Sequence, residues 1–144
     1  MKTSKPRLVI DTNVFITALK SKRGASYKLL FDVDRNKFIL NISPTLIFEY
    51  ESVAKRKDQN IILSHSEIDV IIDMICKWAE HWEIFYLWRP FLKDSEDDLV
   101  LESAMAARAK YIVTYNLKDF VGIEALGIHA ILPKQLLQKI GEIK

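Results

Sequence analysis

The side chains that could carry chemistry in this sequence are mostly carboxylates, and the first is Asp11. It follows the apolar run Leu8–Ile10 and precedes Thr12 and Asn13. The run predicts a short buried strand, which places Asp11 at the carboxyl end of that strand, where open α/β sheets bind ligands. Asp11 could also cap the helix that follows, because its side chain can accept hydrogen bonds from the first helical N–H groups. This motif alone leaves both interpretations open.

A second acid, Glu49, falls within an apolar stripe of a predicted helix. The helix begins at Pro44 and runs to Ala54, and Glu49 shares one face with Leu46, Tyr50 and Val53. A carboxylate in such a position is costly to bury unless it is paired, hydrogen-bonded or bound to a metal ion. The alternative is a position at the rim of the protein, from which Glu49 reaches water or a lysine.

Acids are densest between Asp94 and Asp98, and another follows at Glu102. The dipole of a helix that begins here explains Asp97, since acids stabilise helix N-termini. It does not explain Glu102, which stands one turn after Asp98 on the inward, apolar face of the predicted helix. Like charges at this spacing repel each other by roughly a few tenths of a kcal/mol. A divalent cation would convert that repulsion into ligation.

Polar residues also follow the fourth predicted strand, as Thr114, Asn116 and Asp119. Capping of the loop by Asn and Asp is the ordinary interpretation. All four groups, however, lie at carboxyl ends of strands or on inward helix faces, and a parallel sheet can bring such positions to one edge. Oxygen ligands suit Mg²⁺, which commonly takes a few carboxylates plus water and substrate phosphate. With no His or Cys nearby in sequence, zinc is a poorer fit.

Short strands alternate with helices along the chain and would position these acids. Apolar runs predict strands at residues 7–11, 37–42, 83–87, 110–114 and 129–132. Helices are predicted between them, at 14–19, 26–34, 44–54, 97–109 and 133–140. Ser64 and Glu67 form a capping box that starts another helix, whose apolar spacing continues to Trp82. The pattern predicts an α/β sandwich around a mostly parallel sheet of about five strands, in one domain spanning residues 1–144.

Taken together and in this order, the motifs resemble the PIN domain family, especially its branch of toxins from toxin–antitoxin modules (VapC-like ribonucleases). The resembling stretches are Leu8–Phe15, Glu49–Tyr50, Asp94–Ala104 and Ala109–Phe120. The resemblance implies a PIN-like three-layer sandwich and an endoribonuclease that hydrolyses RNA with the help of Mg²⁺ or Mn²⁺. It also implies an antitoxin protein as a partner and a homodimer as the oligomeric state.

Carried over residue by residue, the resemblance assigns metal binding and catalysis to Asp11, Glu49 and Asp98. Asp94 and Glu102 match further acids of this branch. One position departs from the family pattern. Asn116 stands where many members have a fourth acid, so Asp119 or the Asn116 amide would serve in its place. The expected substrate contacts come from polar and basic residues around these acids, namely Asn13, Thr114, Lys20, Lys22 and Arg23.

The composition is that of an ordinary globular protein, with 49% hydrophobic and 28% charged residues. The formal net charge of +2 does not by itself indicate a nucleic-acid binder, although basic residues cluster at 20–23 and at Lys55–Lys57. The single cysteine, Cys76, excludes an internal disulfide. No apolar stretch approaches the roughly 20 residues that cross a bilayer, and we expect a cytoplasmic protein without membrane contact.

Two other functions would place acids or polar residues in similar positions. A non-catalytic PIN-like module would bind RNA or a protein without cutting, and Asn116 at the usual fourth-acid position keeps this alternative open. A phosphoryl-transfer domain would also set acids at strand ends. The sequence argues against it, since Asp11 is not followed two residues later by a second Asp and no acid pair marks the first strand.

Overall fold

A five-stranded parallel sheet organises the chain in the computed structural model, which describes residues 5–84 and 95–144. The strands are β1 (Arg7–Ile10), β2 (Ile39–Ile42), β3 (Glu80–His81), β4 (Tyr111–Val113) and β5 (His129–Ile131). Their order across the sheet is β3-β2-β1-β4-β5, and every pairing is parallel. Leu8 aligns with Leu40 on one side and with Tyr111 on the other, so β1 is central. The predicted parallel sheet is confirmed.

Helices connect these strands, and local sequence starts two of them. They are α1 (Thr12–Lys20), α2 (Ala25–Tyr27), α3 (Pro44–Ala54), α4 (His65–Trp78), α5 (Ser95–Ala106) and α6 (Pro133–Lys139). The Ser43 hydroxyl caps α3 by accepting from the Leu46 N–H, and Ser64 forms the predicted capping box with Glu67 at the start of α4. α2 continues into a π-helical turn, Lys28–Asp32. Within the described ranges, none of the helices has the length and apolar character needed to cross a membrane.

Both faces of the sheet are covered. Leu8, Val9 and Ile10 are consecutive in β1, yet each is at most 1% exposed. Because consecutive strand residues point to opposite faces, helices must cover both sides of this strand. The three residues of β4 are also buried, and α5 packs against β1, β2 and β4. The predicted three-layer α/β sandwich is confirmed, and its core fixes the strand ends from which the polar side chains emerge.

The third strand and the end of α4 differ from the prediction. The third strand of the sheet lies at Glu80–His81. Of the predicted range 83–87, residues 83 and 84 have no regular structure, and 85–87 lie outside the described residues. α4 ends at Trp78, and Trp82 is not helical. Instead, the Trp82 N–H donates to the Ile42 carbonyl at 2.9 Å and its indole donates to Asn41 Oδ1 at 2.8 Å. Trp82 packs against the edge of the sheet and is partly buried there. It therefore matches the apolar spacing of α4 although it is not part of the helix.

Candidate active site

Asp11 emerges from the carboxyl end of β1, and the neighbouring strand fixes its position. Its backbone N–H donates to the Val113 carbonyl at 2.9 Å, which extends the pairing with β4 by one residue. The Thr114 hydroxyl donates to Asp11 Oδ2 at 2.8 Å. Asp11 occupies the N-cap position of α1, but within the described chain its carboxylate accepts no cap hydrogen bond from that helix. The capping interpretation therefore does not account for this side chain.

Glu49 on α3 reaches the same end of the sheet. Its Oε2 accepts a hydrogen bond from the Thr12 hydroxyl at 2.5 Å. The next residue, Tyr50, is buried and donates its hydroxyl to the Ile10 carbonyl. Burial raises the pKa of Tyr50 well above its ordinary value, and the negative charges of Asp11 and Glu49 raise it further. Both carboxylates therefore lie near one buried phenol.

Thr114 connects the polar groups at the end of β4. Its side chain is fully buried. Besides donating to Asp11, its hydroxyl accepts from the Asn116 backbone N–H at 3.0 Å and from the Asn13 amide at 3.4 Å. Asn13 Oδ1 in turn accepts from the Tyr115 N–H at 3.3 Å. These bonds tie the start of α1 to the loop after β4, so the two segments hold a common shape around Asp11.

These side chains open into one cleft of about 410 Å³ at the carboxyl edge of the sheet. Four acids line the cleft, namely Asp11, Glu49, Asp97 and Asp119. The uncharged polar lining comes from Thr12, Asn13, Thr17, Gln59 and Asn116, and the positive charge comes from Lys20 and Arg56. The structure thus brings side chains from all four predicted motifs into one cleft.

The acids of α5 divide between the cleft and the interior. Asp97 is half-buried and lines the cleft. Asp98 is 1% exposed and Glu102 is 2% exposed, and neither is among the residues that line the cleft in the described part of the chain. The expectation that both face inward is met. Asp94 lies outside the described residues.

Two of the predicted substrate contacts lie away from the cleft. Lys20 lines it at the end of α1, whereas Lys22 and Arg23 are exposed in the loop beyond and are not part of its described lining. Arg56 was predicted only as one member of a basic run, yet it follows α3 and also lines the cleft. Thr12, next to Asp11 in sequence, was likewise not singled out, although a hydroxyl beside a strand-end acid was a usable signal.

The cleft offers oxygen ligands in an open arrangement. Across residues 5–84 and 95–144, no group of three or more His, Cys, Asp or Glu side chains is arranged to hold a metal ion by itself. Mg²⁺ does not require such a cage, because it commonly keeps several waters and binds one or two carboxylates. The carboxylates, hydroxyls and amides around Asp11 and Glu49 therefore fit a hydrated Mg²⁺ or Mn²⁺ ion. The described lining holds no His or Cys, the ligands typical of zinc sites.

Comparison with known proteins identifies the family. The family model described as "PIN domain" matches residues 7–118, most of the chain. A chain in the crystal structure of VapBC2 from Rickettsia felis bound to a DNA fragment from their promoter has a similar fold, with a TM-score of 0.59 at 19% identity over 86% of this chain and 96% of that one. A comparison with curated proteins found no match. The chain belongs to the PIN domain family, whose members are generally nucleases.

Proposed function

We propose that this protein is a metal-dependent endoribonuclease that hydrolyses RNA phosphodiester bonds in the cleft at the carboxyl edge of its sheet. One observation carries the proposal: Asp11 and Glu49, from separate elements, are each held by a threonine hydroxyl and open into the same cleft as two further acids. Acids collected in one polar cleft with positive charge at its sides suit the binding of a metal ion together with a phosphate.

Each carboxylate has its own means of being held in place. Thr114 orients Asp11, and Thr12 orients Glu49, so neither side chain must be reordered when a ligand arrives. Asp11 and Glu49 would hold the ion with an acid of α5. The exposure of Asp97 in the cleft supports that residue over the buried Asp98. When bound, Mg²⁺ or Mn²⁺ would stabilise charge on the phosphate and make water more acidic.

Positive charge in the lining of the cleft suits a polyanionic substrate. Lys20 stands at the end of α1 and Arg56 follows α3, and both side chains are exposed. Lys22 and Arg23 extend the positive surface beyond Lys20. These cations would contact phosphates next to the bond that is cut, and Asn13 and Asn116 would offer hydrogen bonds to the bound nucleotide. The acids alone would repel RNA, so this flanking charge is needed for binding.

We further propose that the protein acts with an antitoxin partner and forms a homodimer. The support is membership in the PIN family together with the fold it shares with a chain of the VapBC2 complex. An antitoxin would inhibit by covering the cleft. This part of the proposal is tested by purifying the protein together with a small protein encoded next to it. RNA cutting should be low in the complex and should rise when the small protein is removed.

The decisive experiment compares wild type with Asp11→Asn on a panel of labelled RNAs, each in Mn²⁺ or in EDTA. We expect cutting that needs Mn²⁺ and is lost in the variant. RNA binding without any cutting would favour a non-catalytic PIN-like module, the alternative that Asn116 keeps open. Cutting that survives both EDTA and Asp11→Asn would mean that the active site lies elsewhere.

A further inference from the structure

A second groove, lined by positive charge, lies at the opposite edge of the sheet. It has a volume of about 850 Å³. We call it the amino-end groove, because its lining comes from residues around the amino ends of the strands. Six of its lining residues are cationic, namely Lys5, Arg7, Lys37, Arg108, Lys110 and Lys139. None of the described lining residues is acidic.

The parallel sheet explains why these cations meet although the sequence separates them widely. Lys37 precedes β2, and Arg108 and Lys110 precede β4, so the amino ends of neighbouring strands bring them to one edge. Lys139 ends α6, which returns the chain to that edge. Arg108 adopts a left-handed backbone with φ of 54°, and its N–H bonds the Met105 carbonyl at 3.2 Å in the turn after α5. This turn carries the arginine to the groove.

One of the six cations has a structural role, which leaves five available to a ligand. The Arg7 guanidinium forms an ion pair with the Glu80 carboxylate, with 2.8 Å between Nη2 and Oε1. Its Nε also donates to the Ala107 carbonyl at 2.9 Å. The other five are exposed, and none of them belongs to an ion pair found among the described residues. Like charges held this close repel one another, so an anion that bridges them would be attracted from solution.

We infer that the amino-end groove binds the phosphate backbone of RNA, separately from the cleft. The chemistry favours a nucleic acid over a protein, because protein interfaces are usually anchored by aromatic or other apolar side chains. Among the described lining residues, the one aromatic is Tyr111, which is 7% exposed. The Lys110 ammonium lies 5.3 Å from the centre of its ring. Exposed lysines on flexible stems act instead as point charges for phosphates. The choice of RNA as the polyanion rests on the proposed function.

Position in the fold gives the groove a distinct role. The four residues of β1 span about 13 Å, so the groove and the cleft lie at opposite ends of the strands and contact different parts of a long RNA. Two linked sites raise the local concentration of substrate at each of them. Long RNAs should therefore bind more tightly than fragments that can occupy only one site.

The test measures binding of a labelled single-stranded RNA in EDTA, where no metal-dependent cutting occurs, by fluorescence anisotropy across a salt series. The double variant Lys37→Gln, Arg108→Gln removes two groove charges. We expect about tenfold weaker binding at low salt, and a plot of log affinity against log salt that is shallower by about 1.4, because each single-strand phosphate contact contributes about 0.7. The control, Lys77→Gln with Lys134→Gln, removes two exposed charges outside both sites and should bind like wild type.

Melting temperatures of both double variants show whether either has lost its fold. If the groove variant is folded and binds RNA like wild type with an unchanged salt slope, the inference is overturned. Groove-dependent binding of a poly-glutamate peptide in place of RNA would overturn it in favour of a protein partner. If RNA binding depends on the groove but wild type never cuts RNA, the proposed function fails and the groove assignment stands. If wild type cuts RNA but RNA binding does not depend on the groove, the groove assignment fails and the proposed function stands.

Discussion

Thr114 links Asp11 to the polar residues around it through one hydroxyl group. Its buried hydroxyl donates to Asp11 and accepts from Asn13 and Asn116. Thr114→Val keeps the shape and removes all three bonds. We expect Mn²⁺-dependent cutting to fall about 10- to 100-fold, the range typical when a residue that orients a metal ligand is removed.

Thr114→Ser is the matched control for that change, because it restores the hydroxyl and removes only a methyl group. Its cutting rate should stay close to wild type. Thermal melting of both variants separates a loss of orientation from a loss of fold, since the valine variant leaves buried polar groups unsatisfied and should be less stable by about 1–3 kcal/mol. A Thr114→Val protein that cuts RNA as fast as wild type would show that Asp11 needs no such support.

Asp97 and Asp98 are adjacent on α5, yet their side chains lie in different surroundings. Successive helical residues are rotated by about 100°, so adjacent side chains point in different directions. Asp97 lines the cleft, whereas Asp98 is 1% exposed. The sequence assigned the third metal-binding acid to Asp98 through a resemblance, and an error of one position in aligning the motif is enough to exchange their roles.

At the scale of elements, the capping box at the start of α4 is a local interaction that the sequence predicts and the structure contains. The Ser64 hydroxyl accepts from the Glu67 N–H at 3.1 Å, and Glu67 accepts from the Ser64 N–H at 3.0 Å. The bond from the Ser64 backbone lowers the pKa of Glu67, and the bond with its side chain lowers it further.

Ser64→Ala should lower the free energy of unfolding by about 1 kcal/mol at neutral pH, the usual value of an N-cap. Because the pKa of Glu67 is lowered in the folded state, its stabilising contribution is present above the unfolded pKa and is lost as the pH falls through the folded pKa. Ser64→Ala keeps the backbone bond and loses only the side-chain bond, so the difference in free energy of unfolding between wild type and variant should narrow only slightly on acidification. Urea unfolding at neutral pH and near pH 3 measures both effects. Ser66→Ala, the same change two residues later at an exposed position, should have little effect at either pH.

The position of a strand depends on the strand it pairs with, whereas the start of a helix depends on nearby residues. The capping box defines where α4 begins, but its end at Trp78 and the short strand after it depend on β2, which pairs with Glu80 and His81. Trp82 continues the apolar spacing of the helix, yet it bonds to Asn41 and Ile42 at the sheet edge. Periodicity reports burial, and it does not distinguish a helical face from a sheet edge.

For the whole molecule, an ion bound in the cleft should stabilise the fold. A ligand that binds only the folded state, at a concentration about 100 times its Kd, adds about 2.7 kcal/mol. For a chain of this size, that raises the Tm by roughly 5–10 °C. We expect Mn²⁺ to shift the Tm of wild type in this way and to leave Asp11→Asn unshifted. Differential scanning fluorimetry with and without Mn²⁺ gives the shift for each variant against its own metal-free value.

The same measurement decides between Asp97 and Asp98 of α5. Asp97→Asn should lose more of the Mn²⁺-induced shift than Asp98→Asn, because Asp97 lines the cleft. Asp73→Asn makes the same chemical change at an exposed position of α4 and should keep the full shift. If Asp98→Asn loses the shift while Asp97→Asn keeps it, the assignment made from the sequence is the right one.

The net charge of +2 is small, yet acidic and basic side chains are concentrated at opposite ends of the strands. The carboxyl edge of the sheet carries four acids around one cleft, and the amino edge carries six cations around another groove. In sequence, the basic residues that attract notice are the runs near 20–23 and Lys55–Lys57. Those of the amino-end groove stand singly or in pairs between residues 5 and 139, so no local pattern indicates that they meet.

Local chemistry in the sequence was enough to predict the alternation of strands and helices, the caps of α3 and α4, and the placing of Asp11 and Asn116 at strand ends. These features depend on neighbours within a few residues, which the sequence displays directly. Tertiary structure alone decided that Asp97 rather than Asp98 lines the cleft, that Arg56 lines the same cleft as Lys20, and that five exposed cations share one groove. Those features depend on helix rotation and on strand order, which bring together residues more than a hundred positions apart through packing that no short stretch of sequence encodes.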